Sequence, residues 1–407
     1  MVRTATGGRS GGTVAKRVIN VWHIGAWNRN FGDWALAYQM HRLLNEQAAS
    51  RDLHLSFYLV DAQHTYFHRR LVDQMCEEAD LVIVGGGGCL FHRPEDSSRS
   101  GWMFNISLED LDRITAPIVV YAIGYNRFAY DPDEFPPITT THLGRLQDRA
   151  MLFSARNTGT RAIMAEEFGL RAETIDVVPD PGIYMFDRAV DVPSRRPGAP
   201  LIAVNLAGDR PGFRYPAPVE DNQRRFVEVI KGALSRCVRD LGAQIMFLPH
   251  LVGVDTDLFA QFADGFPRGS IFSAYEELPF LYPPPMGLMY AHVPFFTNLF
   301  RQSDVVLGMR GHSGILSFGT GTKFISLGEH RKLGYFASDV GLPAEYAIQS
   351  VGQSEGAVGL VFDKVHGCLE DEAYAQLLGP SLDRQRAILR AFNERVLDVA
   401  VESERNK

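Results

Sequence analysis

Six short runs rich in β-branched and other apolar residues, Val18 to Ile24, Leu55 to Val60, Asp80 to Val84, Ile118 to Ile123, Met151 to Ser154 and Ile175 to Val178, alternate with amphipathic stretches along the first half of the chain. A chain that repeats strand and helix in this way buries its strands in a mostly parallel sheet covered by helices. The alternation stops at Val192 to Pro200, which holds three prolines and no apolar periodicity, and restarts with Leu201 to Leu206, a helical stretch from Glu220 to Leu241, then Ala243 to Leu248, Asp304 to Leu307 and Lys323 to Leu327. A length of 407 residues exceeds what one hydrophobic core sustains. The expected fold is therefore α/β, with two Rossmann-like domains facing a cleft. Residues 18–191 form the first domain, 192–200 the linker and 201–380 the second; 1–17 read as a flexible leader, and 381–407 as a helix expected to pack back on the first domain.

Composition narrows the partners. Apolar residues make up 45% and charged residues 22%, enough to build real cores, and a formal charge of −7 gives no global field for nucleic acid. An anionic small substrate would need local positive charge. The cysteines Cys76, Cys89, Cys237 and Cys368 show no metal-ligand or C-x-x-C spacing, and no metal cluster is expected; they read as reduced thiols of a cytoplasmic protein. Residues 1–17 contain no apolar core of a signal peptide, and no run is long and apolar enough to span a bilayer. The stretch Leu278 to Phe300 is aromatic but carries five prolines, so one regular helix is not expected there. It reads as a packed loop, or else as a lid or apolar shelf for a lipid-linked acceptor with peripheral membrane contact.

Four constellations can carry chemistry. Directly after the first strand come Asn28, Asn30, Gly32 and Asp33, where a Rossmann fold puts its phosphate loop. The spacing is not G-x-G-x-x-G, and bulky Trp27 and Phe31 disfavour a dinucleotide. Asp33 reads either as a helix N-cap or as a carboxylate that deprotonates an acceptor hydroxyl. Gly85 to Gly88, at the carboxyl end of the third run, let the backbone approach a ligand, and Gly86 and Gly87 are candidates for acceptor binding. Ser154-Ala-Arg156-Asn157 puts a guanidinium where ligands of open α/β sheets lie. The richest segment is Gly308-Met-Arg310-Gly311-His312-Ser313, a strand end leading into a helix N-terminus, followed by His330 and Lys332 after the next strand. Arg310 and His312, two residues apart, are expected on one side of an extended chain. His250, in Leu248-Pro-His250, is a further candidate base, or a packed histidine.

Taken in order, Asn30-x-Gly32-Asp33, Gly-Gly-Gly, Ser154-x-Arg156-Asn157, Asp180-Pro181, Gly308-Met-Arg310-Gly311-His312, Lys332 and Gly341-Leu342 resemble the polysaccharide pyruvyl transferases, over roughly residues 18 to 345. Many relatives have Leu where Gly311 stands, and others Asp at Asn157. The resemblance implies a fold like that of two-domain GT-B glycosyltransferases, phosphoenolpyruvate as donor with no cofactor, and a cyclic pyruvate ketal on a sugar of a cell-surface glycan or exopolysaccharide. The first domain would serve the acceptor and the second the donor. Phosphoenolpyruvate carries a phosphate and a carboxylate close together, which suits two fork-shaped cations, Arg156 and Arg310. Gly311, Ser313, His330 and Lys332 would complete the donor site, with His312 as general acid, Asp33 or His250 as base, and Asn28 and Asn30 on the acceptor side. A nucleotide-sugar glycosyltransferase of the same architecture and a non-catalytic glycan-binding relative are the competing readings.

Overall fold

The computed structural model describes residues 16–27, 30–93, 95, 97–251, 253–278, 286–328, 331–349, 351 and 355–405. The N-terminal sheet contains β1 (Arg17–Gly25), β2 (Leu53–Asp61), β3 (Leu81–Leu90), β4 (Ile118–Tyr125), β5 (Ala150–Ala155) and β6 (Asp176–Val177), all parallel, in the order β2-β1-β3-β4-β5-β6. The C-terminal sheet contains β7 (Leu201–Asn205), β8 (Gln244–Phe247), β9 (Ile271–Ser273), β10 (Val305–Gly308), β11 (Lys323–Leu327) and β12 (Ala347–Ile348), again parallel, in the order β12-β11-β10-β7-β8-β9. β4 and β10 are buried at every residue, which is why they read as continuous apolar runs.

The strand order reverses between β1 and β3 in one sheet and between β7 and β10 in the other. At such a reversal the following connections leave to opposite faces, and a crevice opens beyond the carboxyl ends of the two strands. The motifs at Asn30 to Asp33 and Gly85 to Gly88 lie at the first reversal and that at Gly308 to Ser313 at the second.

The helix Phe31–Ala49 ties the halves together. Asn30 caps it, its side chain accepting from the Gly32 N–H at 2.9 Å, an arrangement worth about 1 kcal/mol. Phe31 stacks on Phe296 at 4.5 Å, so the apolar core under β1–β3 continues into that of the second sheet. A second core fills the other face of the first sheet around Trp22, Trp102 and Phe104. The C-terminal helix Glu372–Arg405 returns to the first half, where Arg51 pairs with Glu394 and Asp398, and Tyr121 donates to Asn393.

One expectation is corrected. Met286–Arg301 is a helix with Pro294 inside it, and Val293, Phe296, Leu299 and Phe300 are wholly buried. Packing against the helix Phe31–Ala49 overrides the local cost of the proline, and the Pro294 carbonyl accepts from the Arg188 N–H. The remaining four prolines of that stretch fall in 279–285, so the lid or shelf reading lies largely outside the described residues. No described helix is long and apolar enough to cross a membrane.

Candidate active site

A cavity of about 280 Å³ opens where the two reversals face each other. Asn30 and Asp33 enter it from the turn after β1, Gly88 and Arg93 from the end of β3, and Asn126 and Phe128 from beyond β4; Arg156 follows β5. From the other half come Asp209, Arg210 and Arg214 after β7, Arg310, Gly311 and His312 after β10, and Lys332 after β11. The sequence-predicted Asn30, Asp33, Arg156, Arg310, Gly311, His312 and Lys332 thus share one space. Among the described residues, no group of acidic, histidine or cysteine side chains could hold a metal ion.

His312 is the centre of the arrangement. It sits in the first turn of the helix Gly311–Thr320, of which Arg310 is the N-cap residue, so the two reach one cavity through a cap and a first turn and not through an extended strand. The His312 Nδ1 lies 3.4 Å from Asp33 Oδ1, and its Nε2 lies 3.4 Å from Asp180 Oδ2. Close approach requires Gly32, since a Cβ there would fall 2.5 Å from the His312 ring. Asp33 is therefore a first-turn residue aimed at the cavity, and Asn30 takes the capping role.

Asp180 is completely buried and links the imidazole to Arg156, whose Nη1 donates to Oδ2 at 3.1 Å. Burial pushes its carboxyl up, but His312, Arg156 and the Gly182 N–H together outweigh that and hold it below the usual carboxylate range. Gly124 leaves room for this guanidinium, because a Cβ there would meet Arg156 Nη2 at 2.6 Å.

Arg310 is anchored from behind. Its Nε donates to Asp255 Oδ2 at 3.0 Å and its Nη2 to Asp255 Oδ1 at 2.6 Å, while Nη2 also reaches Asp209 Oδ1 at 2.6 Å. Burial opposes its charge, but the two carboxylates prevail and keep the guanidinium protonated above its ordinary value. The fork expected to clasp a donor is thus closed on aspartates along one edge. Arg214 donates to the Asp209 carbonyl and carboxylate at 2.9 and 3.0 Å. Burial raises the Asp209 carboxyl, and Arg310, Arg214 and Arg210 together drive it far down. Lys332 donates to Asn126 Oδ1 at 2.8 Å; burial, then Arg156 and Arg214, pull its ammonium well below the usual lysine value. An ammonium so placed gains greatly when an anion arrives.

Several predicted residues take other places. His250 is fully buried with its ring against Phe296 and Phe300, and neither ring nitrogen has a hydrogen-bond partner. Burial, then the charges of Arg310 and His312, hold it neutral, and its ring is outside the cavity lining, so it is corrected from candidate base to packing residue. Ser313 is corrected likewise: it is fully buried, and its hydroxyl donates to the Arg310 carbonyl. Gly86 and Gly87 do not line the cavity, whereas Gly88 does; a Cβ at Gly87 would lie 3.7 Å from Asp33 Oδ1, so that glycine sits behind the carboxylate. Asn28 and His330 lie outside the described residues.

Sequence reading missed Arg93, Arg210, Arg214, Asp209 and Asp255. The signal available for three of them was position alone, since Asp209 to Arg214 follow the first strand of the second half.

The family model of polysaccharide pyruvyl transferases matches residues 19–331. No curated protein matches by sequence. Among solved structures, a putative UDP-N-acetylglucosamine 2-epimerase from Listeria monocytogenes superposes with a TM-score of 0.54 at 11% identity, covering 93% of this chain and 97% of the other. The Neisseria meningitidis UDP-GlcNAc 2-epimerase bound to UDP-GlcNAc gives 0.54 at 10%, covering 94% and 100%. The S. aureus MnaA–UDP co-structure gives 0.52 at 12%, covering 88% and 90%. At such identities the likeness is one of fold: two Rossmann-like domains facing a cleft, the GT-B arrangement.

Proposed function

Because the chain belongs to the polysaccharide pyruvyl transferase family, we propose that its cleft transfers the enolpyruvyl unit of phosphoenolpyruvate to two hydroxyls of a sugar, forming a pyruvate ketal. The observation that carries this reading is the imidazole of His312 held between Asp33 and Asp180 within a ring of guanidinium and ammonium groups. A small trianion needs such cations, and an enol phosphate needs a proton donor at its methylene carbon.

In the reaction, His312 delivers a proton to the methylene carbon of the donor, and positive charge develops at C2. A sugar hydroxyl attacks C2, and Asp33 takes its proton. The phosphate leaves with the C2–O electron pair, the second hydroxyl attacks C2 to close the ketal, and its proton passes to the departing phosphate, which is released as the monohydrogen dianion. Asp33 lies 3.4 Å from Nδ1, so the proton it collects can return to the ring, and the enzyme ends as it began. Arg156 and Lys332 reach the donor from one side and the outer edge of Arg310 from the other. Asp180 positions both His312 and Arg156, and neutral Asn30 beside Asp33 is suited to a sugar hydroxyl.

The test is phosphate release from phosphoenolpyruvate against a panel of free, nucleotide-linked and lipid-linked sugars, with product mass measured. A mass gain of one pyruvate ketal with stoichiometric phosphate is expected. Transfer of a glycosyl unit from a nucleotide sugar would replace this reading.

A further inference from the structure

Arg210 stands apart from the other cations of the cleft. Its backbone is left-handed, with φ 52° and ψ 53°, a conformation that side-chain-bearing residues adopt at a cost of the order of 1 kcal/mol or more. It lies where β7 meets the cavity, at the reversal of the second sheet. Its guanidinium carbon sits 4.7 Å from the centre of the Phe91 ring and 5.8 Å from that of Phe128. Arg93 lies 5.8 Å from the same Phe91 ring, so two like charges share one aromatic ring. Among the described residues, Arg214 and Arg310 each pair with carboxylates, and Arg210 forms no ion pair. Asp209 and Asp255 therefore offset two of these three guanidiniums and leave the charge of Arg210 over.

The cleft thus has two electrostatic centres. The strongest positive neighbours of Lys332 are Arg156, Arg214 and Arg310, while those of Arg210 are Arg93, Arg214 and Arg310. Around His312, the charges of Arg156 and Lys332 are matched by Asp33 and Asp180. The surplus lies toward Arg210. We infer that Arg210, with Arg93 beside it, forms a phosphate subsite that takes the phosphoryl group of the donor, leaving Arg156 and Lys332 to the carboxylate. The inference rests on phosphoenolpyruvate being the donor. Burial and the charge of Arg93 lower the Arg210 guanidinium to about 10, so an arriving phosphate dianion relieves repulsion already present in the empty cleft. The leaving group then departs from the subsite that held it, and inorganic phosphate should act as a product inhibitor there.

The probe is inorganic phosphate, titrated by calorimetry into the full chain and into the Arg210→Gln and Arg210→Lys variants, with phosphoenolpyruvate titrated in parallel. Phosphate should bind the wild type in competition with phosphoenolpyruvate. Its dissociation constant should rise roughly tenfold or more in Arg210→Gln and less in Arg210→Lys, which keeps the charge without the fork. Equal phosphate affinity in all three proteins, or no phosphate binding to the wild type, overturns the subsite. Phosphate that binds through Arg210 but does not compete with phosphoenolpyruvate overturns the donor assignment and gives the subsite to an acceptor-borne phosphate. A wild type that binds phosphate through Arg210 but shows no affinity for phosphoenolpyruvate would sink the donor reading and leave an anion subsite standing. Unchanged near-ultraviolet circular dichroism identifies a folded variant, and Arg93→Gln supplies a second, independent loss should Arg210→Gln fail to fold.

Discussion

At the N-terminal reversal the turn after β1 and the end of β3 offer an amide, a carboxylate, a glycine and one arginine, Arg93; at the C-terminal reversal the turns after β7 and β10 offer three arginines, an aspartate and a histidine. Both halves use the same device, a reversal of strand order between β1 and β3 and between β7 and β10. They fill it in different proportions, with most of the cationic groups on the C-terminal side. Gly32 and Gly124 give up side chains so that His312 and Arg156 can approach, whereas Asp209 in the cavity wall holds Arg214 and Arg310, and Asp255 behind the wall holds Arg310. One reversal is shaped to admit groups and the other to concentrate charge. Neither makes a site alone, because His312 comes from one half and its partners Asp33 and Asp180 from the other end of the cleft.

That contrast can be broken at its centre. His312→Gln keeps the size of the side chain but cannot protonate carbon, so turnover should fall by roughly 10² to 10⁴ while phosphoenolpyruvate binds within a few fold of wild type. Steady-state rates beside a donor titration check this. Near-normal turnover, or equal losses in binding and rate, would make His312 a bystander or an anion ligand.

The charge-concentrating side should be the more fragile in folding. Asp255→Asn leaves the buried Arg310 guanidinium with only Asp209, and should cost about 3 to 5 kcal/mol in urea unfolding. A loss below about 1 kcal/mol would mean that Arg310 finds its partners elsewhere.

The admitting side carries buried neutral histidines, and this sets an acid limit. Burial lowers His23 from 6.5 to about 4, even though it donates from Nε2 to the Gly85 carbonyl. The unfolded chain binds that proton first, so stability is full above about pH 6.5 and falls as pH drops toward 4, by about 3 kcal/mol for this residue. Asp180 and Asp209, held below the normal carboxylate value of 3.8, extend the loss at lower pH. Urea midpoints at pH 7 and pH 4.5 measure the first step; a flat profile would contradict it.

The smallest effect is expected at the join. Arg156→Lys keeps the charge but loses the fork that spans Asp180 and the cavity, and donor affinity should fall by roughly tenfold. Wild-type affinity in the folded variant would remove Arg156 from the donor site.

Much of this was readable in the sequence where a signal is local. Short β-branched runs announced ten of the strands, but not β9 and β12, of three and two residues, which pair along the open edges of β8 and β11. Arg310 and His312 were legible because a strand, a cap and a helix follow one another in the chain. Arg93 and Arg210 were not, since their meeting at Phe91 depends on two segments more than a hundred residues apart in the chain. His250 misled for the complementary reason. A histidine after a strand looks like a ligand until the phenylalanines of a distant helix are seen to enclose it.

The central claim is that this cleft is built for phosphoenolpyruvate, and competitive calorimetry with the wild-type chain tests it without knowledge of the acceptor. Phosphoenolpyruvate should bind with a single site per chain and should not be displaced by UDP-GlcNAc. Tight binding of UDP-GlcNAc, with no heat from phosphoenolpyruvate, would contradict the account and return the cleft to nucleotide-sugar chemistry.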